Sequence, residues 1–190
     1  MERPVNKFIR ETDYDFYWFI SDDAIATRDA FDKIERGLET HDVVTGYALN
    51  PDGSGNVCLC DRPLEAWVPT TLGAYHFMSK EAVDLYYDDW VPTYYVPFIL
   101  SAIERDLLLQ VPYRSYGILP IPLIKYFRGV RAIRGFACDY NFSFRLQKKG
   151  IRAYAAKGAL MEHLGSSAFR PNQYHLNLGE VKPSVELVKV

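Results

Sequence analysis

The first forty residues contain one continuous apolar run and one apolar series with helical spacing. The run Phe16–Ile20 (FYWFI) predicts a strand buried on both faces, as is typical of a parallel sheet. It stops at Ser21-Asp22-Asp23, after which Thr27 has the character of a helix N-cap, with Asp29 in the first turn. The helical series is Ala30, Phe31, Ile34 and Leu38, with Gly37 near its end. The pattern therefore predicts a strand, an acidic loop and a helix.

Beyond residue 40 the same signals predict further strands and helices. Strands are predicted at 42–49, 57–59, 72–78, 151–156 and 160–161, and helices after Ser79, at 98–109 and at 140–149. Ser79 is placed to cap its helix, and Pro97 suits the first position of the apolar helix that follows it. Gly150 suits the end of the last helix.

Composition places the chain among ordinary globular proteins. Its 190 residues suit one domain, which we place at 1–175, with a short tail at 176–190. Hydrophobic residues make up 48% of the chain, enough for a core, and the net charge of -2 argues against a nucleic-acid binder. The uncharged run 91–103 is too short for the ~20 residues of a membrane-spanning helix. We therefore expect a cytoplasmic protein, with association at a membrane surface left open.

Adjacent carboxylates at the end of a predicted buried strand are the strongest local sign of chemistry. Ligands of open α/β sheets bind at the carboxyl ends of strands, where Asp22 and Asp23 are predicted to lie. Two neighbouring carboxylates are costly unless a cation or hydrogen-bond donors satisfy them, and Mg2+ and Mn2+ prefer oxygen ligands. The alternative is a solvated acidic turn that caps the next helix. A second acidic sequence, Asp13-Tyr14-Asp15, precedes the strand and is interpreted as a polar turn.

Three further residues are candidates for a role in such a site. Asp139 begins a predicted helix, where it is either an N-cap or a carboxylate placed to take a proton from an incoming hydroxyl. His163 follows a short strand and is either structural or, if the fold brings it near Asp23, a ligand of an Mn2+-like ion. Arg170 is either an ordinary surface residue or a clamp for a diphosphate.

Taken together and in order, these segments resemble the GT-A-fold glycosyltransferases, especially glycosyltransferase family 2. DFYWFISDDAIATRDAFDKIERG resembles the family's strand, acidic motif and helix, and HDVVTGYAL and TLGAYHFMSKEAVDLY resemble the segments that follow. CDYNFSFRLQKKG resembles the helix with the catalytic carboxylate, and GALMEHLG the strand that ends in a metal-binding His. The resemblance covers residues 5–175. It implies an α/β fold: a partial GT-A (Rossmann-like) mixed, mostly parallel sheet flanked by helices.

The resemblance implies a role for each candidate residue. Asp23 and His163 match the ligands of Mn2+ or Mg2+, and Asp22 matches the motif position near the donor ribose and diphosphate. Asp139 matches the general base of inverting enzymes. The segment 163–174 also resembles a loop of polypeptide GalNAc-transferase-like enzymes that folds over the donor, which gives Arg170 a donor-binding role. Because those enzymes are retaining, a positioning role for Asp139 is the alternative.

The chain departs from the family pattern at three places. Ser21 and Cys138 stand where the family often has Asp and Glu. In the family, strands that hold the nucleotide base precede the acidic motif, whereas fifteen residues precede Phe16 here. We therefore expect the N-terminal nucleotide-binding strands to be lacking, so that the chain is a fragment, or a partner chain completes the sheet, or donor binding is degenerate. The resulting open sheet edge invites pairing with a second copy or with a partner chain.

The expected function is metal-dependent transfer of a sugar from a nucleotide-sugar donor to an acceptor hydroxyl. The acceptor is a carbohydrate, a lipid-linked molecule or a protein. The basic and aromatic residues 113–134 are expected beside the acceptor, or else form a solvated loop. The alternative function is a non-catalytic module that binds carbohydrate or a partner. A phosphate-handling metalloenzyme is disfavoured because the sequence shows no further cluster of carboxylates or histidines.

Overall fold

The computed structural model describes residues 2–21, 24–49, 55–65, 76–114 and 138–163, with the backbone alone for Glu2, Arg3 and His163. The helices are α1 (Glu2–Glu11), α2 (Ala30–Leu38), α3 (Lys80–Tyr86), α4 (Arg105–Gln110) and α5 (Cys138–Lys148). The strands are β1 (Phe16–Ile20), β2 (Ala24–Ala26), β3 (Val43–Ala48), β4 (Asn56–Cys60), β5 (Phe77–Ser79), β6 (Trp90–Thr93), β7 (Leu100–Glu104) and β8 (Ala153–His163). The predicted mixed α/β class is confirmed. The predicted tail at 176–190 lies outside the described residues.

The main sheet is mixed, and most of its strand pairs are antiparallel. Its strands follow the order β1-β7-β3-β8-β2, and β6 also pairs with β8. The pairing of β3 with β8 is parallel, and the other pairings of described strands are antiparallel. The prediction of a mostly parallel sheet is therefore wrong, because β7 lies between β1 and β3 and runs in the opposite direction to both. Strands β4 and β5 form a second, two-stranded sheet.

The apolar sequence of strand β1 predicted burial on both faces, but the strand is not buried on both. Tyr17 is buried, but Trp18 and Ile20 are 36% and 54% exposed. The strand pairs with β7 along one side, and no described strand pairs with its other side. An uninterrupted apolar run is equally compatible with an edge strand whose outward residues are apolar, and periodicity alone does not separate the two.

The region predicted as a helix at 98–109 is divided between strand β7 and helix α4. Leu100 and Ala102 pack on one side of the sheet, and Ile103 packs on the other. This alternation has the period of a strand, but the sequence hides it because both faces of this central strand are apolar. Pairing with β1 on one side and β3 on the other overrides the local helical signal.

One long strand replaces the two short strands predicted after residue 150. Strand β8 runs from Ala153 to His163 and contains Gly158 at a φ of +78°. Glycine adopts this left-handed conformation without a side-chain clash. The register with β3 shifts between Ala155 and Leu160, on either side of this glycine. The apparent break in the sequence is therefore an irregularity within one strand.

Two residues were predicted to be helix N-caps; the prediction is confirmed for Ser79 and wrong for Thr27. The Ser79 hydroxyl accepts a hydrogen bond from the Ala82 N–H at 3.1 Å, as expected of an N-cap. Thr27 does not cap α2, because Asp29 occupies the N-cap position. The Thr27 hydroxyl instead donates to the carbonyl of Gly158 in β8. The Thr27 side chain, which the local pattern assigned to the helix start, thus makes a long-range hydrogen bond to β8 instead.

Helices cover both faces of the main sheet. Helices α1, α4 and α5 pack on one face through a cluster that includes Ile9, Leu107, Leu108, Phe142, Leu146 and the strand residues Tyr17, Val43 and Ile103. Helix α2 packs on the other face through a cluster that includes Ala30, Ile34, Val44, Leu100 and Ala156. The packing of α5 on the sheet holds its first turn, which contains Asp139, against the body of the protein. None of the described helices has the length and apolar character needed to cross a bilayer.

Candidate functional site

Three strands of the main sheet end at the same edge. Strands β1 and β3 both run antiparallel to β7, and β8 runs parallel to β3, so β1, β3 and β8 share one direction. Their last residues are Ile20, Ala48 and His163. Because the carboxyl ends of strands are where open α/β sheets bind ligands, this edge is the candidate site.

The strand register joins the backbone next to Asp23 to His163. Ala24, which follows Asp23, is the partner of His163 in the antiparallel pairing of β2 with β8. The Cα atoms of such partners lie about 4.5–5.5 Å apart. Asp22 and Asp23 themselves lie outside the described residues, as does the His163 side chain. Their roles as donor-binding residue and metal ligands therefore stay predictions.

The side chains of the predicted metal ligands, Asp23 and His163, are not among those that the structure describes. Within the described ranges, no three His, Cys, Asp or Glu side chains form a group that could hold a metal ion. The predicted donor set of Asp carboxylates and a His imidazole suits an Mn2+-like ion. The thiol of Cys60 does not suit one, because burial raises its pKa to about 12 and keeps it protonated.

An open groove connects the end of β1 with the start of α5. Its volume is about 720 Å³. Ser21, which precedes Asp22, and Cys138, which precedes Asp139, both line it. Aromatic residues form much of its wall: Phe8, Tyr17, Trp18, Phe19, Phe98 and Tyr113. Residues adjacent to the predicted base and to the acidic motif therefore border the same groove.

Asp139 lies partly buried in the first turn of α5, and two hydrogen bonds hold its carboxylate. The Tyr95 hydroxyl donates to Oδ2 at 2.5 Å, and the backbone N–H of Tyr140 donates to Oδ1 at 2.7 Å. These bonds differ from those of an N-cap, whose side chain accepts from the N–H two or three residues on. The structure therefore does not support the interpretation of Asp139 as a simple cap.

The pKa of Asp139 is shifted in the direction that favours a base. Burial raises this pKa above that of an ordinary aspartate, and the hydrogen bonds from Tyr95 and Tyr140 oppose the rise. A carboxylate with a raised pKa is the stronger base, which proton transfer from a hydroxyl requires. The environment of Asp139 can thus support general-base chemistry.

Tyr95 is the residue of this site that the sequence did not indicate. It follows β6, is 7% exposed, and packs edge-on to Phe77 with the ring centroids 6.1 Å apart. Tyr95 and Asp139 are separated by 44 positions in the chain. With 14 tyrosines in the sequence, no local pattern distinguishes this one. Only the fold brings the two side chains together.

Two predicted parts of the site lie outside the described residues. One is Arg170, whose donor-binding role stays a prediction. The other is 115–134, which makes up most of the basic and aromatic stretch expected beside the acceptor. Tyr113, at the start of that stretch, is described and lines the groove.

Comparisons with known proteins provide little further information. No protein-family model matches the chain, and no curated protein matches it at a significant level. A similar solved structure is the crystal structure of A197 from STIV, with 17% sequence identity and a TM-score of 0.48. The match covers 87% of this chain, which spans 65% of the length of A197. A likeness at this level does not show the family.

Proposed function

We propose that this chain is the metal-binding and acceptor-binding part of a glycosyltransferase with the GT-A fold. A sugar moves from a nucleotide-sugar donor to a hydroxyl of a carbohydrate, a lipid-linked molecule or a protein, with inversion at the anomeric carbon. The observation that carries the proposal is the pairing of Ala24 with His163. This pairing joins the backbone that follows the acidic motif to the backbone of the predicted histidine ligand.

Asp139 is the proposed general base. As the acceptor oxygen forms its bond to the anomeric carbon, the hydroxyl proton passes to the Asp139 carboxylate, which becomes a neutral carboxylic acid. The bond between the anomeric carbon and the diphosphate oxygen breaks, and its electron pair leaves with the diphosphate. The raised pKa of Asp139 supports this role, as does the groove that reaches Cys138 beside it.

Four residues are proposed to hold the donor. Mn2+ or Mg2+ bound by Asp23 and His163 would neutralise charge on the leaving diphosphate. Asp22 is proposed to contact the ribose and diphosphate. Arg170 is proposed to bind the diphosphate through its planar guanidinium, which suits phosphate oxygens.

The outer side of β1 supports the expectation of a partner strand. The Arg105 N–H donates to the Asp15 carbonyl at 2.9 Å, so these two residues form a hydrogen-bonded pair. Because such pairs alternate along an antiparallel ladder, residues 15, 17 and 19 are the ones that hydrogen-bond to β7. The backbone groups of Phe16, Trp18 and Ile20 therefore point away from β7, and no described strand pairs with them. We propose that a second copy or a partner chain adds a strand at this edge.

Calorimetry tests the proposed function directly. The protein is titrated with UDP-, GDP- and dTDP-sugars in Mn2+ and, separately, in the presence of a chelator. We expect heat of binding for one donor class that depends on the metal, since the ion links the carboxylates to the diphosphate. An Asp13→Ala variant serves as the control, because Asp13 belongs to the other acidic sequence and its side chain is 98% exposed.

The alternative function predicts a different result in the same experiment. A non-catalytic module that binds carbohydrate or a partner would show no metal-dependent binding of any nucleotide sugar. That result would contradict the transferase proposal. Binding of an oligosaccharide without a metal or a nucleotide would then support the binding module.

A further inference from the structure

The side chains of Tyr95 and Asp139 are fixed relative to each other. The Tyr95 hydroxyl donates to Oδ2 of Asp139 at 2.5 Å, while Oδ1 accepts from the Tyr140 N–H at 2.7 Å. A carboxylate bound at both oxygens cannot rotate without breaking one of these bonds. Each oxygen keeps a second lone pair, so the carboxylate can still accept a proton.

The segment that contains Tyr95 is itself tied to α5. The Val96 N–H donates to the Ser143 hydroxyl at 2.9 Å, and that hydroxyl donates to the Asp139 carbonyl at 2.6 Å. The Tyr95 N–H also donates to the Thr93 hydroxyl at 3.1 Å. The tyrosine and the helix turn that contains Asp139 are therefore linked through backbone as well as side chain, which limits their relative motion.

We propose that Tyr95 is a positioning residue for the base, whose hydroxyl holds the Asp139 carboxylate in the orientation that receives the acceptor proton. The inference rests on the proposed function and adds to it a residue from a distant part of the chain that acts through Asp139. Because the hydroxyl donates to the charged carboxylate, it also limits how far burial raises the pKa of Asp139.

The test compares Tyr95→Phe with Tyr94→Phe. Phenylalanine keeps the ring of residue 95 against Phe77 and removes the hydroxyl that binds Asp139. The hydroxyl of Tyr94 accepts from Arg152 at 2.5 Å instead, so its removal is a matched control. Circular dichroism and thermal unfolding check that both variants keep the fold.

The kinetic readout separates positioning from protonation. Tyr95→Phe should lower kcat about tenfold to a hundredfold at an unchanged donor KM, because a hydrogen bond to a charged group is lost. Loss of that donor raises the pKa of Asp139, so the acid limb of the pH–rate profile should move to higher pH. On the alkaline plateau Asp139 is ionised, so the decrease in kcat that remains there measures lost positioning rather than protonation of the base. In an Asp139→Asn background the same change should alter kcat little, since the base is already absent.

An independent readout tests the contact without any transfer. Carbon-13 NMR of the aspartate carboxyl groups, assigned with Asp139→Asn, should show a higher pKa for Asp139 in Tyr95→Phe and no change in Tyr94→Phe. An unchanged Asp139 titration overturns the inference, as does an active Tyr95→Phe enzyme with wild-type kcat at every pH. A shifted titration together with an inactive wild type supports the Tyr95–Asp139 contact and contradicts the proposed function.

Discussion

Strand β1 has an acidic sequence at each end, and the surroundings of the two differ. At the amino end, the exposed Asp13 lies 3.7 Å from the Arg105 guanidinium. The Asp13-Tyr14-Asp15 sequence lines a cavity of about 390 Å³ with the neighbouring turn of β7 and α4. At the carboxyl end, Ser21-Asp22-Asp23 leads into β2, whose Ala24 pairs with His163 at the end of β8.

The spacing of the aspartates and their position relative to the strand favour different ends of β1 as a ligand site. The sequence at the amino end has a literal D-x-D pattern, yet a cation of the chain itself lies beside it. The sequence at the carboxyl end has the less regular S-D-D pattern, but it follows one of three strands that end at a common edge. The position relative to the strand therefore favours the carboxyl end as the predicted ligand site, whereas the motif alone would favour the amino end.

The largest expected difference between the two ends is in activity. Asp23→Ala should abolish metal-dependent transfer, with a loss of about a thousandfold or more, because charge neutralisation at the leaving group is lost. Asp13→Ala should leave the rate close to that of the wild type. Initial rates measured across a titration of Mn2+ check both. Retained activity in Asp23→Ala would remove this residue from the site.

A second experiment weakens the strand pairing on which the carboxyl end depends. A Cβ at Gly46 would lie 2.8 Å from the carbonyl oxygen of Ala159, across the parallel pair of β3 and β8. Gly46→Ala should therefore lower the free energy of unfolding by about 2 to 3 kcal/mol, measured by urea denaturation.

The matched control for that substitution is Gly55→Ala. Gly55 has a φ of +71° and open space around its Cβ position, so alanine there costs only the left-handed conformation, about 1 kcal/mol. If Gly46→Ala were no more destabilising than Gly55→Ala, the close approach of β3 and β8 at this point would be refuted.

The smallest expected effect concerns the amino end and depends on pH. Burial raises the pKa of Glu104, and the nearby Asp42 and Asp106 raise it further. With a folded-state pKa above the unfolded value, this group's contribution to stability is fully present below the unfolded pKa and is lost as pH rises through the folded pKa. Glu104→Gln should thus be more stable than the wild type at pH 7, by under about 0.5 kcal/mol, and show no gain at pH 3.

The control for the pH effect is Glu35→Gln on the exposed side of α2. This substitution measures the effect of removing one exposed carboxyl group, with which the result for Glu104→Gln is compared at each pH. A gain for Glu104→Gln that is equal at both pH values would show that the effect comes from something other than ionisation of the carboxyl.

The sequence predicts helix caps and turn glycines correctly where the residues that interact are also close in the sequence. Ser79 caps its helix because the Ala82 N–H is three residues away, and Gly150 follows α5 at a φ of +75° because glycine tolerates that conformation. The acidic motif, Asp139 and His163 were likewise selected by residue type at predicted element ends. Their joint site stays a prediction: the register pairs Ala24 with His163, and Ser21 and Cys138 line one groove.

Long-range contacts account for the predictions that are wrong and for the residue that was missed. The sequence predicts a helix where strand β7 lies, because the apolar residues of β7 do not reveal the two strands that pair with it. The sequence predicts Thr27 as a helix N-cap, but its hydroxyl donates to the carbonyl of Gly158, 131 positions away. Tyr95 could not be linked to Asp139 from composition or spacing.

Residue patterns alone specify features whose signals act over a few positions: strand β1 with its acidic end, the helical series of α2 and the capped start of α3. The direction of β7, the pairing of Ala24 with His163 and the bond between Tyr95 and Asp139 came only from the assembled sheet. The physical reason is that hydrogen bonds between strands join backbone groups irrespective of side-chain identity. Which strands pair therefore depends on how the whole core packs rather than on any local run of residues.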